Sequence, residues 1–133
     1  MMQVVTGHKG LIGFTTQVHG FEIHSSLMHE GVSAVMTAAR LVEWLRTQLV
    51  ECMNATPNAI DVLFEPPFTT FHVGVINGGT ASNITAKYCE FTIDIRCPPS
   101  QDPMDWYDRY LEYIAKVEAE IQSIRPEVSI EII

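Results

Sequence analysis

The stretch Lys87-Tyr88-Cys89-Glu90-Phe91-Thr92-Ile93-Asp94-Ile95-Arg96-Cys97 decides the fold. Cys89, Phe91, Ile93, Ile95 and Cys97 fall on one face, and Tyr88, Glu90, Thr92, Asp94 and Arg96 on the other. A period of two, apolar on one side and polar on the other, belongs to a strand whose sheet is covered on one face only. Cys97-Pro98-Pro99 stops it, because proline offers no N–H to a ladder.

Two helices are available as the cover. Downstream, Asp102 caps a helix that has Pro103 at its first position. Its apolar stripe is Trp106, Tyr110, Ile114, Val117 and Ile121, and Arg125-Pro126 ends it. Val128, Ile130 and Ile132 then alternate in a last strand. Upstream, residues 69–76 read as a strand with Phe71, Val73 and Val75 alternating against Thr70, His72 and Gly74. The break Asn77-Gly78-Gly79-Thr80-Ala81-Ser82-Asn83 separates the two central strands. Residues 57–67 form an irregular surface connection. Before it, Val35, Ala38, Leu41, Val42, Leu45 and Leu49 place a helix over 32–54. The first strand lies in 11–23, with Ile12, Phe14, Thr16 and Val18 on one face and Gln17 and His19 on the other. A polar stretch, residues 24–31, joins it to the helix.

The order β-α-β-β-α-β, closed by right-handed crossovers, gives an α+β fold: the ferredoxin-like four-stranded antiparallel sheet with two helices on one face. At 133 residues the chain fits one domain, and 47% hydrophobic residues supply a core. The formal net charge of −8 opposes binding to nucleic acid or to an anionic membrane surface. An RNA-binding reading of this topology also fails on the polar face around Glu90 and Asp94, where Tyr88 is the one aromatic. No apolar run reaches the ~18–20 residues of a membrane span. Met1-Met2-Gln3-Val4-Val5-Thr6 has neither the basic start nor the apolar stretch of a signal peptide, and Cys52, Cys89 and Cys97 lack close-pair spacing. A cytoplasmic protein with reduced thiols is the expectation.

Three features carry possible chemistry. His24, in His24-Ser25-Ser26, reads either as a loop histidine bonded locally or as a donor to a developing oxyanion. A nucleophilic Ser–His pair is disfavoured, since sequence neighbours on an extended chain point to opposite faces and no Gly-x-Ser-x-Gly elbow is present. In the 78–83 turn, Gly78 and Gly79 either permit a tight turn with positive φ or, with Thr80 and the Asn83 amide, form a loop that contacts a polar or anionic ligand. Arg96 either pairs with Asp94 or Glu90 or offers a planar fork to a carboxylate. His8, His19, His24, His29 and His72 show no metal-ligand spacing, so no metal site is expected within the chain.

Together the motifs resemble the lid domain of the acetylornithine deacetylase family. They are Gly7-His8-Lys9-Gly10, Val18-His19-Gly20 with His24-Ser25-Ser26, and Gly31-Val32-Ser33-Ala34-Val35. Phe64-Glu65-Pro66-Pro67-Phe68-Thr69-Thr70, Val73-Gly74-Val75-Ile76, Gly78-Gly79-Thr80-Ala81-Ser82-Asn83-Ile84 and Asp94-Ile95-Arg96 follow in order. The resemblance covers residues 4–125. That family consists of dinuclear-zinc amidohydrolases, with succinyl-diaminopimelate desuccinylase, aminoacylases and related carboxypeptidases. The resemblance implies a lid and dimerisation domain over 1–133, as a fragment of a larger two-domain enzyme that acts as a homodimer. It implies that His24 crosses into the partner's active site as an oxyanion donor, that the loop with Gly79, Thr80 and Asn83 contacts substrate, and that Arg96 faces a substrate carboxylate. It places two zinc (or cobalt) ions and the general base in the missing catalytic domain. The implied substrate is a small N-acyl amino acid such as N2-acetylornithine, in arginine biosynthesis, and the fragment alone would be inactive. The family's Asn-Ile-Ile/Val-Pro is Asn83-Ile84-Thr85-Ala86 here, without the proline's rigidity, and residues 54–63 are long for a helix-to-strand link. The second reading is a free-standing small-ligand-binding regulatory module of the same fold.

Overall fold

In the computed structural model, residues 3–5 and 10–133 are described. The elements are β1 (Gln3–Val5), β2 (Gly10–His19), α1 (Ala34–Asn54), β3 (Thr70–Gly78), β4 (Tyr88–Cys97), α2 (Pro103–Gln122) and β5 (Ser129–Ile132). The motif residues Gly7, His8 and Lys9 lie outside the described residues.

β2 and β4 pair antiparallel along their whole length, from Gly10 opposite Cys97 to His19 opposite Tyr88. β3 adds to the free side of β4, and β5 to the free side of β2. The main order is therefore β5-β2-β4-β3, all antiparallel, as the ferredoxin-like topology requires. The short β1 is an addition that the periodicity did not show. It pairs with residues 11–13 of β2, end to end with β5, which pairs with residues 16–19.

Alternation on β2 and β4 holds throughout. Ile12, Phe14, Thr16 and Val18 are buried, as are Cys89, Phe91, Ile93, Ile95 and Cys97. Both helices cover this face, α1 over β3 and β4 and α2 beside it over β5 and β2. Tyr110 of α2 is fully buried between Phe14 and Trp44, with ring centroids at 5.7 and 5.8 Å. Its hydroxyl meets Thr16 Oγ1 at 2.7 Å, which satisfies the core's one buried pair of hydroxyls. Asp102 caps α2 by accepting from the Met104 N–H at 2.9 Å, and Ser33 caps α1 by accepting from the Met36 N–H at 3.1 Å.

Two expectations are corrected. Val35 does not belong to the buried stripe of α1: it is 38% exposed, and the small residues Ala34 and Thr37 take the inward places. The first turn lies too close to neighbouring backbone for a larger side chain, since the Ala34 N–H bonds the Ala86 carbonyl at 2.8 Å. Val75 is not inward either. A register shift between Val73 and Ile76 breaks the alternation of β3, and Val75 is 54% exposed. The polar stretch after β2 contains a short 3-10 turn over Ser25–Glu30.

Candidate functional site

The pairing of β2 with β4 does not stop at His19. Beyond it, residues 20–25 and 83–87 continue as an irregular ladder. The Gly20 N–H bonds the Lys87 carbonyl, the Thr85 N–H bonds the Ile23 carbonyl and the Ser25 N–H bonds the Asn83 carbonyl, each at 2.8 Å. His24 stands opposite Ile84. Two motifs that are 59 positions apart in the chain are thus held side by side at one end of the sheet.

The junction is tight enough to dictate residue types. A Cβ on Gly20 would lie 2.4 Å from the Val32 carbonyl oxygen and 2.7 Å from that of Ala86. Buried Thr85 supplies the fastening. Its Oγ1 accepts from the Ile23 N–H at 2.9 Å and donates to the Phe21 carbonyl at 2.8 Å. One hydroxyl satisfies the Ile23 N–H and adds a second donor to the Phe21 carbonyl, which also accepts from the Val32 N–H at 3.2 Å.

His24 itself is exposed and caps the turn that follows it. Its Nδ1 accepts from the Ser26 backbone N–H at 3.1 Å and lies 2.8 Å from Ser26 Oγ. A backbone N–H can only donate, so Nδ1 holds a lone pair, and the neutral ring carries its proton on Nε2. That N–H is left as an outward donor. The local reading of His24 is thus seen directly, and the local bond fixes which nitrogen remains available.

The 78–83 turn closes the hairpin between β3 and β4. Gly79 has φ of 86°, and its N–H donates to the Tyr88 carbonyl at 3.3 Å. This N–H is used in the turn, while Thr80 and Asn83 are exposed. A shallow cavity of about 250 Å³ lies under the turn, lined by residues 77–80 with Lys87, Tyr88 and Glu90.

Arg96 is elsewhere. It lies on the open face at the far end of β4, eight residues from Tyr88, or about 27 Å at ~3.4 Å per residue. Its guanidinium pairs with Asp94, Nη2 to Oδ2, at 3.2 Å, and this bond holds the charge on Arg96 more firmly still. The structure joins His24 to the 78–83 turn and does not bring Arg96 to either.

A larger cavity of about 390 Å³ lies at that far end, between the end of α1 and residues 100–101. Asp61, in the connection read from sequence as irregular, is buried there. Its carboxylate accepts from the N–H of Ser100 at 3.3 Å and from its hydroxyl, and Asn58 Oδ1 accepts from the N–H groups of Ile60 and Asp61. With its carboxylate engaged in this way, Asp61 ties down the long link. Among the described residues no three His, Cys, Asp or Glu side chains come together as a metal site, so these residues do not fit a zinc ion. No helix among them is long and apolar enough to cross a membrane.

The family described as Peptidase dimerisation domain matches residues 6–122. The acetylornithine deacetylase of Myxococcus xanthus is 35% identical over 99 residues, covering 74% of this chain and 25% of that protein. The acetylornithine deacetylase of Proteus mirabilis is 30% identical over 118 residues, covering 89% of this chain and 30% of that protein. A hydantoinase/carbamoylase family amidase from Burkholderia multivorans superposes with a TM-score of 0.73 at 17% identity, over 94% of this chain and 27% of that one, and shares the fold. The chain thus spans about a quarter to a third of the length of these relatives. On the match over residues 6–122, and with the expected sheet order in place, the chain belongs to the peptidase dimerisation domain family.

Proposed function

We propose that this chain is the lid and dimerisation domain of a cytoplasmic N-acyl amino acid deacylase that resembles acetylornithine deacetylase and frees ornithine and acetate for arginine biosynthesis. The observation that carries the reading is the exposed His24 ring, pinned at Nδ1 so that Nε2 remains as the donor, on backbone paired with the end of the 78–83 turn. Such a donor suits an oxyanion growing on an amide carbonyl as the bond is attacked. Thr80 and Asn83 lie beside it to contact the substrate. One preorganised donor of this kind is worth about 2.7–4 kcal/mol, or 10²–10³ in kcat. The two zinc (or cobalt) ions of the reading, which would polarise that carbonyl, belong to a catalytic domain outside these residues. β1 and β5 meet end to end on one edge of β2, so the chain enters and leaves the sheet at neighbouring points, a geometry that suits an inserted domain.

A homodimer is supported by the unpartnered flank of α1. Arg40 and Trp44 turn toward α2, where they meet Glu120 and Tyr113. On the opposite flank Val35, Val42, Leu49 and Met53 make a stripe, exposed or half-buried, above the free edge of β3, where Val75 and Ile76 are exposed. A two-fold axis there would join both edges into one sheet and cover the stripe. Because Arg96 and His24 sit at opposite ends of the sheet, they would serve different active sites of that dimer.

In the full-length enzyme, His24→Ala should lower kcat for N-acetylornithine by 10²–10³ at similar KM. Unchanged kcat would end the donor role. The 133-residue chain should not hydrolyse N-acetylornithine; measurable turnover by it would refute the division of labour. Leu49→Asp should shift sedimentation from dimer to monomer. A rise in melting temperature of the chain alone with a free amino acid would favour the regulatory-module reading instead.

A further inference from the structure

The turn that carries His24 has almost nothing to hold it. No residue of Ser25–Glu30 is buried, so it lacks the apolar anchor that fixes most loops. Its internal backbone bonds are the Leu27 N–H to the His24 carbonyl at 2.9 Å and the Gly31 N–H to the Met28 carbonyl at 3.1 Å, beside the His24–Ser26 contacts already described. The ladder with residues 83–87 and the Thr85 hydroxyl hold its beginning. Past its end, the Phe21 and Val32 backbones pair through bonds of 2.8 and 3.2 Å, and a side chain from just past α2 adds a second hold.

Arg125 follows α2 in a turn fixed at both backbone groups. Its N–H bonds the Ile121 carbonyl at 3.1 Å, and its carbonyl accepts from the Val128 N–H at 3.3 Å. From that half-buried base the side chain crosses to the His24 segment. Its guanidinium carbon lies 4.1 Å from the centroid of the Phe21 ring, while Nε donates to the Glu30 carbonyl at 2.7 Å. One planar group thus touches Phe21, four residues before the turn, and Glu30, which ends it, and clasps the ten-residue segment inside the loop that the Phe21–Val32 pair closes. Stacking on a ring and donating in-plane from Nε are things guanidinium does together and ammonium does not.

We propose that Arg125 is a positioning residue for His24: it clasps residues 21 and 30 and so holds the turn on which the imidazole is presented. The inference rests on the reading of His24 as a donor. If the clasp acts this way, loss of Arg125 loosens residues 24–31 first and leaves the sheet intact.

The test is hydrogen exchange on the 133-residue chain with Arg125→Met and Arg125→Lys, followed by kinetics of the same substitutions in the full-length enzyme. The Leu27 and Gly31 amides should exchange about tenfold faster in both variants, while Ile93 and Ile95 in β4 stay protected. Lysine should not rescue. In the enzyme, Arg125→Met should lower kcat about tenfold with KM unchanged. Unchanged exchange at Leu27 and Gly31, or equal acceleration of every amide, would overturn the clasp. A His24→Ala enzyme as fast as the parent would defeat the donor reading and the positioning role together. A slow His24→Ala beside a fast Arg125→Met would overturn the positioning role alone.

Discussion

Thr16 and Tyr110 are both fully buried, and their hydroxyls are 2.7 Å apart. Tyr110→Phe keeps the ring against Phe14 and Trp44 and removes one oxygen. Thr16 Oγ1 is then left without a partner in a dry site, at a cost of about 1–3 kcal/mol. Thr16→Val strands the Tyr110 hydroxyl at similar cost. The double substitution replaces both polar atoms by apolar ones of like shape, so it should be within about 1 kcal/mol of the parent. The expected coupling is therefore about 1–3 kcal/mol, with the double variant more stable than either single. Urea unfolding at neutral pH reads all four species, and each kcal/mol corresponds to about 3–5 °C in Tm for a chain of this size. Additive single effects would refute the reasoning.

The same pair makes a second, independent statement about pH. Burial pushes the Tyr110 phenol well above its ordinary value of 10.0, while its bond to Thr16 pulls slightly the other way. The unfolded chain loses this proton near pH 10 and the folded chain keeps it, so above pH 10 the folded state binds more protons. Stability is then fully present below pH 10 and falls as pH rises beyond it, by up to about 1.4 kcal/mol per pH unit from this one group. Tyr110→Phe should flatten the alkaline slope by that amount. An unchanged slope would contradict the burial argument.

Further expectations follow from the site and the core. Gly79→Ala forces an L side chain into φ of 86° and should cost about 1–2 kcal/mol by denaturant melts; a neutral result would mean that the turn relaxes. Thr85→Val leaves the Ile23 N–H unmatched and takes from the Phe21 carbonyl one of its two donors, at a cost of about 1–3 kcal/mol, and should broaden the His24 ring resonances in NMR spectra. Burial pushes the Cys89 thiol up, so an aromatic disulfide reagent should reach it only on unfolding. Rapid native-state labelling at Cys89 would show that β4 opens.

Much of the architecture was determined by local pattern. The alternation in residues 88–97 set a one-sided sheet, since a period of two cannot be satisfied by a helix. Asp102-Pro103 marked the start of α2 to the residue, because capping is chemistry between neighbours. The ordered motifs also pointed to the family and singled out His24, Asn83 and Arg96. What lay beyond reach were quantities set by contacts between distant segments. The outward turn of Val35 depends on how closely the backbone of Ala34 approaches that of Ala86. The exposure of Val75 depends on a bulge that no composition signals. Only the tertiary structure placed His24 beside Asn83 and at the opposite end of the sheet from Arg96, because strand pairing decides which distant segments meet. Arg125 reads in sequence as the end of a helix. Its role depends on a ring 104 positions earlier and a carbonyl 95 positions earlier, brought within reach only by the fold.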